Sequence, residues 1–285
     1  MQDMQEASTT MGGGYWMIRT IRSGRVIEKS QFYVGERKPR KARRKGASST
    51  KKLDANLRDA VKRLAREINC NFAAGDLLLT LTYDEGHIGK VGEDFDAAER
   101  EGRKWWRRMS REIKAAGGVL RGIWMTSDTD PETGEVVRLH HHAVISSEGV
   151  VVERDTEGKI VEATIGGRKL SDIWGNGTAD VKPLREQDDY TPIAAYFVSQ
   201  ARKTGDKKKW NPSRNLKKPV IESEKIVTNA RELHTPPGAT VLEIGKYEEG
   251  SGSHYVRYIR KPRPPKVGGH KERALTADET EVRRE

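Results

Sequence analysis

The chain is predicted to be an α+β protein, an antiparallel central sheet with helices on one face, a small N-terminal hairpin and a C-terminal extension. Three observations predict this. Arg138 to Ser147 is an apolar, β-branched run interrupted by His140, His141 and His142, and it reads as a buried strand. Between Leu77 and Ser147 the hydrophobic periodicity changes in the order strand, helix, strand, hairpin, strand. Gly and Pro clusters separate these segments at lengths too short for parallel crossovers.

In the order of the chain, residues 1–14 are polar and Gly-rich and read as a disordered tail. Two β-favouring runs, Tyr15 to Ile18 and Gln31 to Val34, flank Ser23-Gly24, giving a hairpin over 15–36. Residues 37–56 open with Arg37, Lys38, Arg40, Lys41, Arg43, Arg44 and Lys45, a one-signed segment that cannot pack. It is either a solvated linker or an arm lying along phosphates, and the excess of one sign favours the arm. Leu57, Val61, Leu64 and Ile68 fall at helical spacing. Leu77 to Tyr83 is a strand-length apolar run after Gly75-Asp76, and Phe95, Ala98, Trp105, Met109 and Ile113 mark a helix over about 94–116 stopped by Gly117-Gly118. Val119 to Ser127 is a second strand, and the histidine strand follows the turn with Pro131 and Gly134.

After Ser147 come a polar loop or hairpin, a short helix around 169–174 and a short strand at 178–181. Thr191 makes a plausible N-cap with Pro192 at the first helical position, for a helix running to about Lys203. Ile193 and Phe197 anchor that helix, while Tyr196, Ser199, Gln200 and Lys203 share a neighbouring stripe. Lys207, Lys208, Lys209, Trp210 and Arg214 combine cations with an aromatic ring, the combination that binds single strands; alternatively, Trp210 fills a groove on the core. Residues 57–219 form the main domain. The extension, 220–262, holds a helix candidate at 222–233 and strand-like ends at 240–244 and 254–259, before a mobile tail at 263–285.

Composition narrows the function. The net charge of +11 and a pI near 9.6 point to a polyanionic partner. The lone Cys70 rules out an intrachain disulfide or a cysteine-built zinc cage and fits a reducing cytoplasm. The first residues lack the pattern of a signal peptide, and no apolar stretch is long enough to span a membrane. In a strand, His140 and His142 share one face and His141 takes the other. Two imidazoles side by side can hold a transition metal or, with added oxygen ligands, Mn²⁺ or Mg²⁺. The alternative is a polar strand end whose histidines are satisfied by hydrogen bonds.

The set Leu79-Thr80-Leu81-Thr82-Tyr83, then Leu139-His140-His141-His142-Ala143-Val144, then Tyr196 on a late helix, resembles the three ordered motifs of HUH endonucleases, the rolling-circle replication initiators and relaxases. The lead-in Asn69 to Asp76, the Ser23-Gly24 hairpin and Ser213 to Pro219 resemble the replication proteins of bacterial phages, plasmids and mobile elements.

The resemblance implies an HUH/RRM-like palm that cuts one DNA strand through a tyrosine, leaving a 5′-phosphotyrosine and a free 3′-hydroxyl. It implies Tyr196 as the single nucleophile, His140 and His142 as ligands to Mg²⁺ or Mn²⁺, and single-stranded or hairpin origin DNA as partner. Tyr190 precedes the helix start and cannot share the face of Tyr196. Relatives often carry Lys three or four residues after the tyrosine; here those positions are Ser199 and Gln200, and Lys203 is the first lysine, so Gln200 and Lys203 are the candidates to support the chemistry. The strand before the histidines usually supplies an acidic third ligand; here Ser127 stands at that position with Asp128 beside it, and Glu85 and His87 stay open. No P-loop is present, so a host helicase and polymerase are expected as partners, with no membrane and no small-molecule cofactor. The competing readings are a relaxase acting in mobilisation, a non-catalytic DNA-binding regulator, and a zinc hydrolase built on His140 and His142.

Overall fold

The structure, a computed structural model, describes residues 14–35, 50–130, 133–201, 209–226, 233–247 and 253–260. The basic segment from Arg37 to Lys45, together with Lys203, Lys207 and Lys208, lies outside the described residues.

The chain is α+β, and its main sheets are antiparallel. The central sheet runs β10-β4-β5-β3-β9, from strands β3 (Leu77–Tyr83), β4 (Gly122–Thr129), β5 (Val136–Ile145), β9 (Gly177–Pro183) and β10 (Asn211–Pro212). Alternation along these strands sorts their side chains. Leu77, Leu79, Leu81, Trp124, Ala143 and Ile145 meet the buried stripe Ala98, Gly102, Trp105, Met109 and Ile113 of α3 (Phe95–Ala115). Asp94 caps α3, its Oδ1 accepting the N–H of Asp96 and Ala97 at 2.8 and 3.1 Å. A Cβ on Gly102 would stand 2.5 Å from the Trp124 ring, so glycine there lets α3 lie close on β4.

Leu78, Ile123, Met125 and Val144 belong to the other face, which takes α1 (Thr50–Asn71) and α5 (Thr191–Gln200) through Leu64, Ile68, Ala194, Phe197 and Val198. α2 (Glu85–Ile88) and α4 (Leu170–Trp174) are short. Val151–Arg154, Ile160–Ile165 and Arg168–Lys169 form a small three-stranded sheet (β6, β7, β8).

A second five-stranded sheet, β11-β1-β2-β13-β12, joins both ends of the described chain. The hairpin β1 (Tyr15–Ser23) and β2 (Val26–Val34) pairs on one side with β11 (Val220–Ile226) and on the other with β13 (Ser253–Ile259), followed by β12 (Thr240–Tyr247). The helix expected at 222–233 is therefore corrected over its first residues: Glu222 to Ile226 are strand, because β1 offers them a ladder from Trp16 to Arg22. Local propensity did not register that open edge. The bidentate pair of Arg66 with Glu28, at 2.8 and 2.7 Å, fastens this sheet to α1, and the Tyr255 hydroxyl donates to the same carboxylate at 3.0 Å. Although burial pushes the Glu28 carboxyl upward, Arg66 and its neighbours hold it below the usual value.

Candidate active site

β5 carries three consecutive histidines between β3 and β4, and the pleat divides them. His141 points to the α3 side and is fully buried, with Nε2 2.9 Å from the Tyr83 hydroxyl and Nδ1 3.1 Å from Thr126 Oγ1. The rings of Trp124, Trp174 and Tyr83 surround it. Burial pulls its pKa down to about 3, with the neighbouring imidazoles acting the same way. A neutral ring with both nitrogens bonded belongs to the core.

His140 and His142 share the opposite face with α5. Their Nε2 atoms are 3.0 Å apart, and the Tyr196 hydroxyl lies 3.3 Å from His142 Nε2. The remaining ring nitrogens are bonded to the sheet itself. His140 Nδ1 is 2.9 Å from the Arg138 carbonyl, an acceptor, so that nitrogen carries the proton and Nε2 presents its lone pair to His142. His142 Nδ1 lies 3.3 Å from Thr80 Oγ1, the residue opposite it in the ladder with β3. Burial lowers the His142 pKa to about 3 and His140 lowers it further, while the side chain of Gln200 acts in the opposite direction. His142 is therefore neutral at physiological pH and has a lone pair to give.

Tyr196 reaches the pair because α5 is fixed at its start. The helix N-cap is Tyr190 and Thr191 is the first helical residue, which corrects the expected N-cap by one position. The cause is Asp189, whose Oδ1 accepts the Thr191 N–H at 3.2 Å and its hydroxyl at 2.9 Å, so the satisfying carboxylate lies one residue further back. Asn69 of α1 donates to Asp189 at 3.0 Å and accepts the Tyr190 N–H at 2.8 Å, while Arg257 of β13 donates to Asp189 at 2.6 Å and to the Thr191 hydroxyl. Ala194, Phe197 and Val198 bury the helix, and Tyr196 is left 37 % exposed. Burial raises the Tyr196 phenol above its ordinary pKa, Lys182 opposes this and Asp130 adds to it.

The other candidates divide sharply. Gln200, one turn after Tyr196, is fully buried, and its Oε1 accepts from Ser127 Oγ at 3.0 Å. Ser127 pairs with His140 in the β4–β5 ladder. Asp128 is bonded to Thr129 Oγ1 at 3.2 Å and is not brought to the histidines; among the described residues no three His, Cys, Asp or Glu side chains converge as a metal group. His87 pairs with Asp84 at 2.6 Å.

Among the basic candidates, Lys209 is half-buried, and burial together with Arg63 lowers its pKa. The Trp210 indole packs on the α1 and α5 cluster and donates to Glu67 at 3.2 Å, so its ring is held by the core. Arg214 is exposed. The segment from Ser213 to Lys218 around it acts as a clasp: Ser213 exchanges bonds with Gly122 at 2.8 and 3.1 Å, Asn215 bonds the Leu120 carbonyl at 3.1 Å, and Asn71 bonds both backbone groups of Lys217.

Thr80, Ser127 and Lys182 were missed as site residues. Period two could have found Thr80, since Thr80 and Thr82 alternate with Leu79 and Leu81 and so fall on the histidine face once β3 pairs with β5. Lys182, on the far side of β3 and 3.0 Å from Asp180, had no local signal.

The histidine pair fits a divalent ion. Two cis ligands about 2.1 Å from an octahedral ion stand about 3.0 Å apart, the square root of two times that bond length, and the observed Nε2 separation is 3.0 Å. With both imidazoles neutral, an ion between those lone pairs relieves their repulsion.

Residues 76–204, from just before β3 to just beyond α5, match a family model described as Replication-associated protein ORF2. No curated protein and no solved structure matches the chain. No helix among the described residues is long and apolar enough to cross a membrane.

Proposed function

We propose that this chain, which carries a domain of the replication-associated protein ORF2 family, is a rolling-circle replication initiator that nicks one DNA strand through Tyr196. The observation that carries this reading is the Tyr196 hydroxyl 3.3 Å from His142 Nε2, itself 3.0 Å from His140 Nε2. A helical tyrosine with packing as its whole purpose would turn its ring into the Phe197 cluster, whereas this hydroxyl is presented at a polar pair.

In the proposed reaction the phenolic oxygen forms a bond to the scissile phosphorus as the bond from phosphorus to the 3′ oxygen breaks. The products are a 5′-phosphotyrosine on Tyr196 and a 3′-hydroxyl able to prime synthesis. The phenol begins protonated, since burial raises its pKa, and His142 Nε2 is the neighbouring acceptor through which that proton leaves. The leaving 3′ oxygen takes up a proton from solvent. His140 and His142 would hold Mg²⁺ or Mn²⁺, which when bound supplies polarisation of the phosphate and offsets charge in the transition state. The Arg138 carbonyl and Thr80 hydroxyl keep the two rings turned toward the site. Lys182 adds positive potential at the phenol, in the role left open by the absence of lysine at positions 199 and 200.

The partner in this reading is single-stranded or hairpin origin DNA, with host helicase and polymerase completing replication in the cytoplasm of a bacterial host. The test is incubation with labelled single strands from the locus encoding the protein, in Mn²⁺, followed by a denaturing gel. A protein-linked label that disappears in Tyr196→Phe supports the reading. Binding without linkage supports a DNA-binding regulator, and metal-dependent hydrolysis that survives Tyr196→Phe supports a zinc hydrolase.

A further inference from the structure

We propose that the third protein ligand of the ion is the side-chain amide oxygen of Gln200, supplied by the tyrosine's own helix in place of an acidic side chain from β4. This rests on the metal-dependent reading above and names the composition of its centre.

Four observations converge on Gln200. It lies four residues after Tyr196, so the two side chains rise from the same stripe of α5, above the histidine face of the sheet. Its Oε1 is fixed by Ser127 Oγ at 3.0 Å, and Ser127 is the ladder partner of His140, which puts the amide over the imidazoles. Ser127 also donates to the Gln200 backbone carbonyl at 2.8 Å, so the same hydroxyl locks both the end of α5 and the amide it carries.

The fourth observation is the cost the fold accepts. Gln200 is 0 % exposed, and its Nε2 has no hydrogen-bond partner among the described residues. Buried amide donors without partners are uncommon, and nothing in the packing of α5 requires a polar residue there, where Ala194, Phe197 and Val198 already fill the contact. A ligand at the site gives that burial a purpose.

The chemistry agrees. Mg²⁺ and Mn²⁺ favour oxygen donors, and a neutral amide oxygen serves as well as a carboxylate in such a shell. No carboxylate among the described residues joins the pair, and Asp128 is turned to Thr129. A neutral third ligand also leaves the centre more positive than a carboxylate would, which strengthens its pull on a phosphate oxygen.

The test is Mn²⁺ binding by titration calorimetry and by the loss of the free-ion electron paramagnetic resonance signal, without DNA and with no activity measured. Wild type is compared with Gln200→Met, which keeps the volume and removes the donor, with Gln200→Glu, and with the double variant His140→Ala/His142→Ala. Far-UV circular dichroism checks that each variant is folded. The proposal expects Gln200→Met to weaken Mn²⁺ binding by about 10- to 100-fold, the scale at which single groups tune metal affinity, and Gln200→Glu to bind at least as tightly as wild type. Wild-type affinity in a folded Gln200→Met variant overturns the assignment of Gln200 while leaving the histidine site standing. Should Gln200→Met unfold, Gln200→Glu decides: binding as weak as in the histidine double variant overturns the assignment. Wild-type protein that binds no better than the histidine double variant overturns the metal-dependent reading itself.

Discussion

His140 turns its Nδ1–H to the carbonyl of Arg138, two residues earlier on its own strand, at 2.9 Å. That single bond sets the ring's tautomer, and the Nε2 lone pair then faces His142 Nε2 3.0 Å away. The centre is thus prepared by the backbone of β5 before any substrate arrives.

Replacing both His140 and His142 by alanine is expected to lower cleavage by at least about 10²- to 10³-fold, the range for removing a preorganised charge-stabilising group. DNA binding should persist and stay sensitive to salt, because phosphate contacts come from Lys and Arg. Filter binding at two salt concentrations beside a cleavage assay checks this. Loss of binding together with cleavage would contradict the division of labour.

Acid should destabilise the fold through His141. Its folded-state pKa of about 3 lies below the ordinary value of 6.5, so the unfolded chain takes up the proton first. Stability from this residue is complete above about pH 6.5 and declines as pH falls toward 3, by about 1.4 kcal/mol per pH unit. Urea unfolding between pH 7.5 and 5 should show that slope on top of other contributions, and His141→Gln should flatten it by about the same amount.

Lys182 lowers the pKa of Tyr196 against the raising effect of burial. Lys182→Met should therefore raise that pKa and move the ascending limb of the cleavage pH profile to higher pH, with a loss of roughly threefold to tenfold near neutrality. An unshifted profile would mean that the lysine acts on the DNA alone.

Arg257 ties β13 of the outer sheet to Asp189 and Thr191 at the start of the tyrosine helix. Arg257→Ala should cost about 2 kcal/mol of stability, as expected for a charged hydrogen-bonded group with little exposure. Cleavage should fall more than DNA affinity, since the loosened element is the one that presents Tyr196. Chemical denaturation and single-turnover cleavage measure the two effects.

The central sheet, α3, the histidine strand and the tyrosine helix were legible in the sequence because each carries a periodic pattern fixed by the core it faces. Leu77 to Tyr83 alternates, and Ala98, Trp105, Met109 and Ile113 recur at helical spacing. The opposition of His141 to its two neighbours followed from the pleat alone. What escaped depends on partners distant in sequence. Glu222 to Ile226 became strand because β1 lay beside them, some 200 residues earlier in the chain. Lys182 matters only because β9 pairs with β3, and the brace between Ser127 and Gln200 only because α5 ends over β4. Trp210 shows the reverse: a basic neighbourhood suggested base stacking, and the indole is held against Glu67.

The central claim is that Tyr196 becomes covalently joined to DNA. Its most direct measurement is peptide mapping by mass spectrometry after incubation with single strands from the encoding locus and Mn²⁺, followed by nuclease digestion. The expected result is a nucleotide mass on the peptide containing Tyr196 and on no other tyrosine. A nucleotide carried by a different residue, or cleaved DNA with Tyr196 unmodified throughout, would contradict the account.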